Sequence, residues 1–173
     1  MTEQYGALGF GAVLIDQQHG LLDERTAFEA VSRLEKFPAC FPIIRVCDNT
    51  TALISRALDA GAPGILAPMI NNSEEAKRLV DQCRYPPEGL RSWGPTRCHD
   101  MLYVRSLEYL ATLMLFRAMV LHPLLQPEEA NQRVRVFAMI ETAEAIRNID
   151  SILNVPGLDG IFVGKMTQVT LNI

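Results

Sequence analysis

The sequence is poor in cysteine and lacks any CxxC pair. Its four cysteines are Cys40, Cys47, Cys83 and Cys98, and no secretory leader precedes them. The polar and acidic N-terminal residues also argue against export. We therefore expect reduced, mostly buried thiols in a cytoplasmic protein.

Positive charge is also scarce. The 16 lysines and arginines are outnumbered by 20 aspartates and glutamates, which gives a formal net charge of −4. No basic stripe interrupts this acidic balance, so we expect no nucleic-acid partner. A small anionic ligand would have to be held by local cationic groups, because the overall field does not attract it.

No hydrophobic run is long enough to span a membrane. The longest, residues 107–125, is interrupted by Glu108, Arg117 and His122. A membrane span needs about 20 mainly apolar residues without a central charge. We therefore expect no membrane partner here, and interpret the run as a buried helix or as a segment foreign to the rest of the fold.

Low-complexity stretches and domain linkers are absent from the sequence as well, so we predict a single domain over residues 1–173. This length allows a sizeable core. It is short for a complete eight-stranded α/β barrel, which needs roughly 200 residues or more.

Three short apolar runs each stop on an ionisable residue. Residues 12–15 precede Asp16, residues 42–44 precede Arg45, and residues 136–140 precede Glu141. Such continuous runs are typical of parallel strands buried on both faces. A charge at the carboxyl end of such a strand lies at the mouth of the sheet, where α/β barrels keep their chemistry. With His19 close behind Asp16, these strand ends carry the residue types of an active site.

Helical patterns separate the strands along the chain. Helices are predicted over residues 23–37, 51–60 and 142–153, and a further helix is predicted to be capped by Asn72 and Ser73. Further strands are predicted at 64–69 and 160–163. This alternation predicts a parallel sheet with right-handed βα connections. The pattern is poor over 98–132, where we expect some helix around 104–120, ended by Pro123 and Pro127.

The string Cys98-His99-Asp100 has the residue types of a nucleophile with its base. Neighbours in sequence rarely face each other correctly, and catalytic pairs usually come from distant segments. We therefore favour an ordinary structural role for these residues.

Five strings resemble, in the same order, the HpcH/HpaI aldolases, which are class II, metal-dependent pyruvate aldolases. They are LIDQQHG at 14–20 (family pattern L-I-D-x-E-H-G), ALDAGAPGILAPM at 57–69, RYPPEGLR at 84–91, MIET at 139–142 and VPGLDGIFVG at 155–164. The resemblance covers most of residues 9–97 and 133–164, whereas 98–132 is divergent or inserted.

The resemblance implies a fold and an activity. Members of the family are TIM-type (β/α)8 barrels that cleave 4-hydroxy-2-oxo acids to pyruvate and an aldehyde. Aligned with that fold, this chain begins just before the second strand and ends before the eighth. We therefore expect an incomplete barrel, with strands 1 and 8 missing, that acts on a small-molecule 2-oxo acid and forms a homo-oligomer if its interfaces persist.

The resemblance also implies roles for single residues. Arg45 corresponds to the arginine that binds the 2-oxo acid and stabilises the pyruvate enolate, and His19, oriented by Asp16, to the histidine of proton transfer. Glu141 corresponds to one carboxylate ligand of a divalent metal (Mg²⁺, Mn²⁺ or Co²⁺), and Gly164 to a substrate-binding position. Taken singly, Arg45 could instead form a buried ion pair with Asp16 or Glu141, and His19 could be a turn residue.

The sequence departs from the family after Gly164. Members continue with proline, alanine or asparagine, and then an aspartate that is the second metal ligand. Here Lys165 follows, and Thr167 occupies the aspartate position. A neutral hydroxyl is a weak ligand for a hard cation, and a nearby lysine opposes it. We therefore expect metal binding weakened by the loss of this carboxylate.

Two alternatives remain beside the aldolase. The chain could be a catalytically impaired, truncated or mis-spliced paralogue, or a subunit that associates with a complete homologue. It could also be a citrate-lyase-like acyl-CoA lyase, although it lacks an obvious nucleotide-binding element.

Overall fold

The computed structural model describes residues 1–94 and 127–164, which form a half-barrel of five parallel strands with helices packed against it. The strands are β1 (Ala12–Asp16), β2 (Phe41–Arg45), β3 (Gly64–Ala67), β4 (Arg135–Ile140) and β5 (Gly160–Val163). They pair in chain order, and every pair is parallel. The predicted α/β class and parallel sheet are confirmed.

Helices connect the strands and cover the outer face of the sheet. They are α1 (Thr2–Ala7), α2 (Glu24–Leu34), α3 (Thr51–Asp59), α4 (Ser73–Cys83), α5 (Pro127–Arg133), α6 (Ala143–Arg147) and α7 (Ile149–Leu153). The core lies between helices and sheet, where Val31, Ile54 and Leu79 are fully buried against strand residues such as Ile65 and Val136. Each such side chain stabilises the fold by about 1.5–3 kcal/mol relative to an exposed one.

The expectation of strands buried on both faces holds only at the centre of the sheet. All four residues of β3 are buried. At the two edge strands the expectation is wrong, because Leu14 of β1 is 41% exposed and Phe162 and Val163 of β5 are 49% and 54% exposed. These side chains belong to edge strands, and no described element covers them.

Helix boundaries follow local capping chemistry. Asn72 is the N-cap of α4, as predicted, and its side chain accepts a hydrogen bond of 2.9 Å from Glu75 N–H. Gly61 follows α3 with a positive φ of 94°, the conformation that glycine supplies after a helix.

The single helix predicted over 142–153 is wrong, since the segment forms α6 and α7 with a break at Asn148. The Asn148 side chain donates to Asn71 O at 2.9 Å instead of facing solvent along a continuous helix. A tertiary hydrogen bond of this kind is not visible in the helical periodicity.

Pro127 begins a helix instead of ending one. It occupies the first position of α5, where a missing N–H costs nothing and the fixed φ suits the helix. The helix expected around 104–120, and the string Cys98-His99-Asp100, lie outside the described residues.

Three cysteines belong to the described part of the chain, and all three are free thiols. Cys40 and Cys83 are buried, whereas Cys47 is exposed. Burial raises the pKa of the Cys83 thiol to about 12, so this side chain stays protonated and behaves as a small apolar residue. Among the helices described, none is long and apolar enough to cross a membrane.

Candidate active site

The carboxyl ends of the five strands meet at one edge of the half-barrel and bring the predicted site residues together. Asp16 and Arg45 are partners in the β1–β2 ladder. Ile140 and Val163 are partners in the β4–β5 ladder, so Glu141 and Gly164, which follow them, are neighbours as well. The parallel register therefore gathers residues that lie up to about 150 positions apart in the chain.

A bidentate ion pair joins Asp16 to Arg45. Arg45 Nε donates to Asp16 Oδ1 at 2.8 Å, Nη2 donates to Oδ2, and Nη1 contacts Met139 Sδ at 3.4 Å. The Arg45 side chain is only 12% exposed. The ion pair that the sequence left as an alternative is thus present, and it fixes the plane of the guanidinium. Since each Nη carries a second N–H, the fork still has donors to offer a ligand.

The pair perturbs both pKa values. The hydrogen bond from Arg45 lowers the pKa of Asp16 to about 2, although partial burial opposes the shift, and the backbone N–H of His19 lowers it further. The same hydrogen bond raises the pKa of Arg45, with a smaller contribution from the charge of Glu141. Around neutral pH the mouth therefore holds a fixed carboxylate and a fixed guanidinium.

The loop after β1 wraps around the Asp16 carboxylate. The backbone N–H groups of Gln18 and His19 donate to Asp16 Oδ1 at 3.0 and 3.2 Å. A Cβ on Gly20 would lie 2.1 Å from Asp16 O, so only glycine fits there. Asp16 thus contacts His19 through the backbone, while the His19 residue is exposed. The roles of His19 in proton transfer and of Asp16 in orienting it stay predictions.

Glu141 directly follows β4 and faces the loop after β3. Its Oε2 accepts a hydrogen bond of 3.1 Å from the backbone N–H of Met69. A Cβ on Gly164 would lie 3.2 Å from both Glu141 Cγ and Met139 Cε. Glycine at this position therefore leaves room for the two side chains, and its predicted contact with substrate stays a prediction.

Sequence reasoning missed Met69. Its φ is +56°, the left-handed region that residues other than glycine, asparagine and aspartate rarely adopt. Such conformations occur preferentially at functional sites, held by the surrounding structure. A methionine after a proline gives no residue-type signal of this backbone, so only the structure reveals it.

The described donor set does not by itself suit a divalent cation. Within residues 1–94 and 127–164, no group of three or more His, Cys, Asp and Glu side chains could hold a metal ion. Both oxygens of Asp16 bind Arg45, so Glu141 is the one predicted metal ligand among the described residues. Hard divalent cations require several oxygen ligands. The positions of Lys165 and Thr167 lie outside the described residues.

Parallel strands with ionisable groups at their carboxyl ends are the architecture of α/β-barrel enzymes. The chain belongs to the HpcH/HpaI aldolase/citrate lyase family, because the sequence model of that family matches residues 1–169. The family assignment predicted from the five strings is confirmed.

Two curated relatives of the chain are named as aldolases. The chain is 37% identical over 172 residues to a hydroxypyruvate/pyruvate aldolase from Rhizorhabdus wittichii, which covers 99% of this chain and 60% of the relative. It is 33% identical over 163 residues to a 4-hydroxy-2-oxo-heptane-1,7-dioate aldolase from Salmonella arizonae, covering 94% of this chain and 55% of the relative.

A solved structure has the same fold. An HpcH/HpaI aldolase/citrate lyase family protein from Burkholderia cenocepacia J2315 matches with a TM-score of 0.79 and 26% identity, over 99% of this chain and 62% of that one. The chain thus spans 55% to 62% of the length of these three relatives.

Proposed function

We propose that this protein is a carbon–carbon lyase that cleaves a 4-hydroxy-2-oxo acid to pyruvate and an aldehyde. The observation that carries the proposal is the Arg45 guanidinium, held in plane by Asp16 at the mouth of an aldolase-family half-barrel. A planar fork of donors suits a carboxylate next to a developing oxyanion. The similarity to two curated aldolases supports the same reaction class.

The cleavage requires two functions from the side chains, namely proton transfer and stabilisation of the enolate. A base takes the proton of the C4 hydroxyl, the C3–C4 bond breaks, and its electron pair forms the enolate of pyruvate while the aldehyde leaves. A proton then adds to C3 of the enolate. Arg45 would stabilise the enolate oxygen through the N–H groups that Asp16 does not use.

His19 is the proposed carrier of the proton. A neutral imidazole has a ring nitrogen that can accept a proton in one step and return it in another. The Asp16 carboxylate anchors the backbone of His19 at 3.2 Å and so ties the imidazole to the strand that bears the ion pair.

A divalent cation, Mg²⁺, Mn²⁺ or Co²⁺, would polarise the 2-oxo group, with Glu141 as its carboxylate ligand. Because Thr167 replaces the second carboxylate of the family, we propose that this cation binds weakly.

The test is pyruvate release from a 4-hydroxy-2-oxo acid, coupled to a pyruvate-specific detection reaction, with Mn²⁺ and with a chelator. We expect Arg45→Ala to lower kcat/KM by about a hundredfold or more, and Arg45→Lys, which keeps the charge but loses the fork, to lower it substantially. Arg25→Ala is the matched control, because Arg25 is an exposed arginine of α2. A folded Arg45→Ala protein with full activity would refute the proposal.

A second candidate is a protein that binds the 2-oxo acid without turning it over. The absence of a group of three or more possible metal ligands among the described residues favours it. Isothermal titration separates the two: pyruvate binding that Arg45→Ala abolishes, in a protein without pyruvate release, indicates the non-catalytic role. Replacing the substrate by an acyl-CoA ester of a hydroxy acid tests the citrate-lyase-like alternative in the same assay.

A further inference from the structure

Met69 needs its neighbours to keep the backbone conformation in which it meets Glu141. Its N–H donates to Glu141 Oε2 at 3.1 Å from a left-handed φ of +56°. A side chain other than glycine rarely adopts this conformation, and it persists only where the surroundings hold it. The residues that hold Met69 therefore control one oxygen of the Glu141 carboxylate.

Asn71 makes these holding contacts with both its side chain and its backbone. Its Nδ2 donates to Met69 O at 2.9 Å. Its backbone N–H donates to Glu75 Oε2 at 2.7 Å, and its carbonyl accepts from Asn148 Nδ2 at 2.9 Å. The loop after β3 is thus tied to α4 on one side and to the break between α6 and α7 on the other.

Thr142 fixes which way the Asn71 amide points. The Thr142 hydroxyl accepts a hydrogen bond of 3.0 Å from Ala145 N–H, and it is hydrogen-bonded to Asn71 Oδ1. An amide oxygen can only accept, so in the contact with Asn71 Oδ1 the Thr142 hydroxyl is the donor. The amide nitrogen of Asn71 is then left to face the Met69 carbonyl.

We propose that Asn71 is a positioning residue of the candidate active site, acting through the backbone of Met69 on the carboxylate of Glu141. It does not cap α4, since Asn72 does so. Met69 binds Oε2 of Glu141. The other carboxylate oxygen of Glu141, Oε1, lies 3.5 Å from the position that a Cβ on Gly164 would take. The structural part of this inference stands alone, and its effect on turnover rests on the proposed function.

Amide hydrogen exchange followed by NMR tests the structural part, with Met69 as reporter and Ile70 as internal reference. Ile70 N–H donates to Met139 O at 3.2 Å, and the Ile70 side chain is fully buried, so its exchange reports general loosening. In Asn71→Ala we expect Met69 to exchange about tenfold faster relative to Ile70. Asn154→Ala, an exposed asparagine at the end of α7, is the matched control and should change neither amide.

Two variants of Thr142 test separately whether the orientation of the Asn71 amide controls Met69. Thr142→Val removes the hydroxyl that orients Asn71 and should also speed Met69 exchange, while Thr142→Ser keeps the hydroxyl and should restore the wild-type rate. The inference is overturned if Met69 exchange is unchanged in folded Asn71→Ala. Equal acceleration of Met69 and Ile70 overturns it too, because that outcome means general loosening.

Turnover is tested by a double-mutant cycle. If Asn71 acts through Glu141, Asn71→Ala should lower kcat in the wild-type background and have little further effect in Glu141→Gln. Fully additive losses would contradict the positioning role. If no variant releases pyruvate while Met69 exchange responds as expected, the proposed lyase function fails and the structural inference stands.

Discussion

The Asp16 carboxylate has three hydrogen-bonding partners, and two of them hold the loop that follows β1 in place. Its carboxylate binds the Arg45 fork, and its Oδ1 also accepts the backbone N–H groups of Gln18 and His19. Arg45, the next strand end, therefore has its position set by a residue on β1. Sequence reasoning found both residues and left their pairing open. The end of an apolar run predicts that a charged side chain lies at the mouth, but it does not predict which residue pairs with that side chain.

Acid should weaken the contribution of Asp16 to stability. Its pKa in the folded protein is about 2, below the usual 3.8, so the stabilisation is complete above about pH 5 and is lost as the pH falls through about 2. Urea unfolding of wild type and Asp16→Asn from pH 7 to pH 2 measures this. We expect the wild-type advantage to shrink over the acid range, and an advantage constant with pH would contradict the account.

Met69 shows where residue-level prediction ends. The sequence pattern extended the strand to Met69, whereas β3 ends at Ala67. The left-handed backbone of Met69 arises from contacts with Glu141 and Asn71. The contact with Glu141 joins residues 72 positions apart in the chain, and it leaves no periodic signal.

The loop that contains Asn71 leads directly into helix α4, so the capping of this helix contributes to the stability of the site. The Asn72 side chain accepts from Glu75 N–H at 2.9 Å. We expect Asn72→Ala to lower the free energy of unfolding by about 1 kcal/mol, and Asn72→Ser to cost much less, because serine also caps helices. Urea denaturation at neutral pH measures both. Equal stabilities of the alanine and serine variants would show that the cap contributes nothing.

The elements themselves were largely predictable. Strand ends and helix starts follow from apolar runs and capping residues, which are local properties of the chain. Two of the errors have tertiary or positional causes: Asn148 breaks a helix by bonding to the neighbouring loop, and Pro127 is tolerated because it stands first in α5.

The order of the sheet follows from alternating strands and helices, since consecutive parallel strands tend to be neighbours. Exposure at its two edges did not follow from the apolar runs. Leu14 and Val163 are as hydrophobic as the residues of β3, yet they are exposed because they lie on edge strands. Burial is thus a property of the whole sheet and not of a strand alone.

At the scale of the whole molecule, we expect the affinity for a divalent cation to depend on the charges of the residues that follow β5. Thr167→Asp combined with Lys165→Pro should raise Mn²⁺ affinity about tenfold, which corresponds to roughly 1.4 kcal/mol. Isothermal titration measures the change, with Thr170→Asp as a control for added charge. If the double variant stays folded and binds Mn²⁺ no better than wild type, position 167 does not share a cation with Glu141.

Deuterium exchange at the methyl group of pyruvate tests the central claim most directly, because enolate formation needs no knowledge of the aldehyde. Removal of a C3 proton and return of deuterium from D₂O depletes the methyl signal in proton NMR. With Mg²⁺ present, which is diamagnetic and leaves the methyl signal sharp, we expect wild type and Arg25→Ala to exchange alike, and Arg45→Ala to exchange about a hundredfold more slowly. Exchange as fast in Arg45→Ala as in wild type, or none above the protein-free rate in folded wild type, would contradict the account.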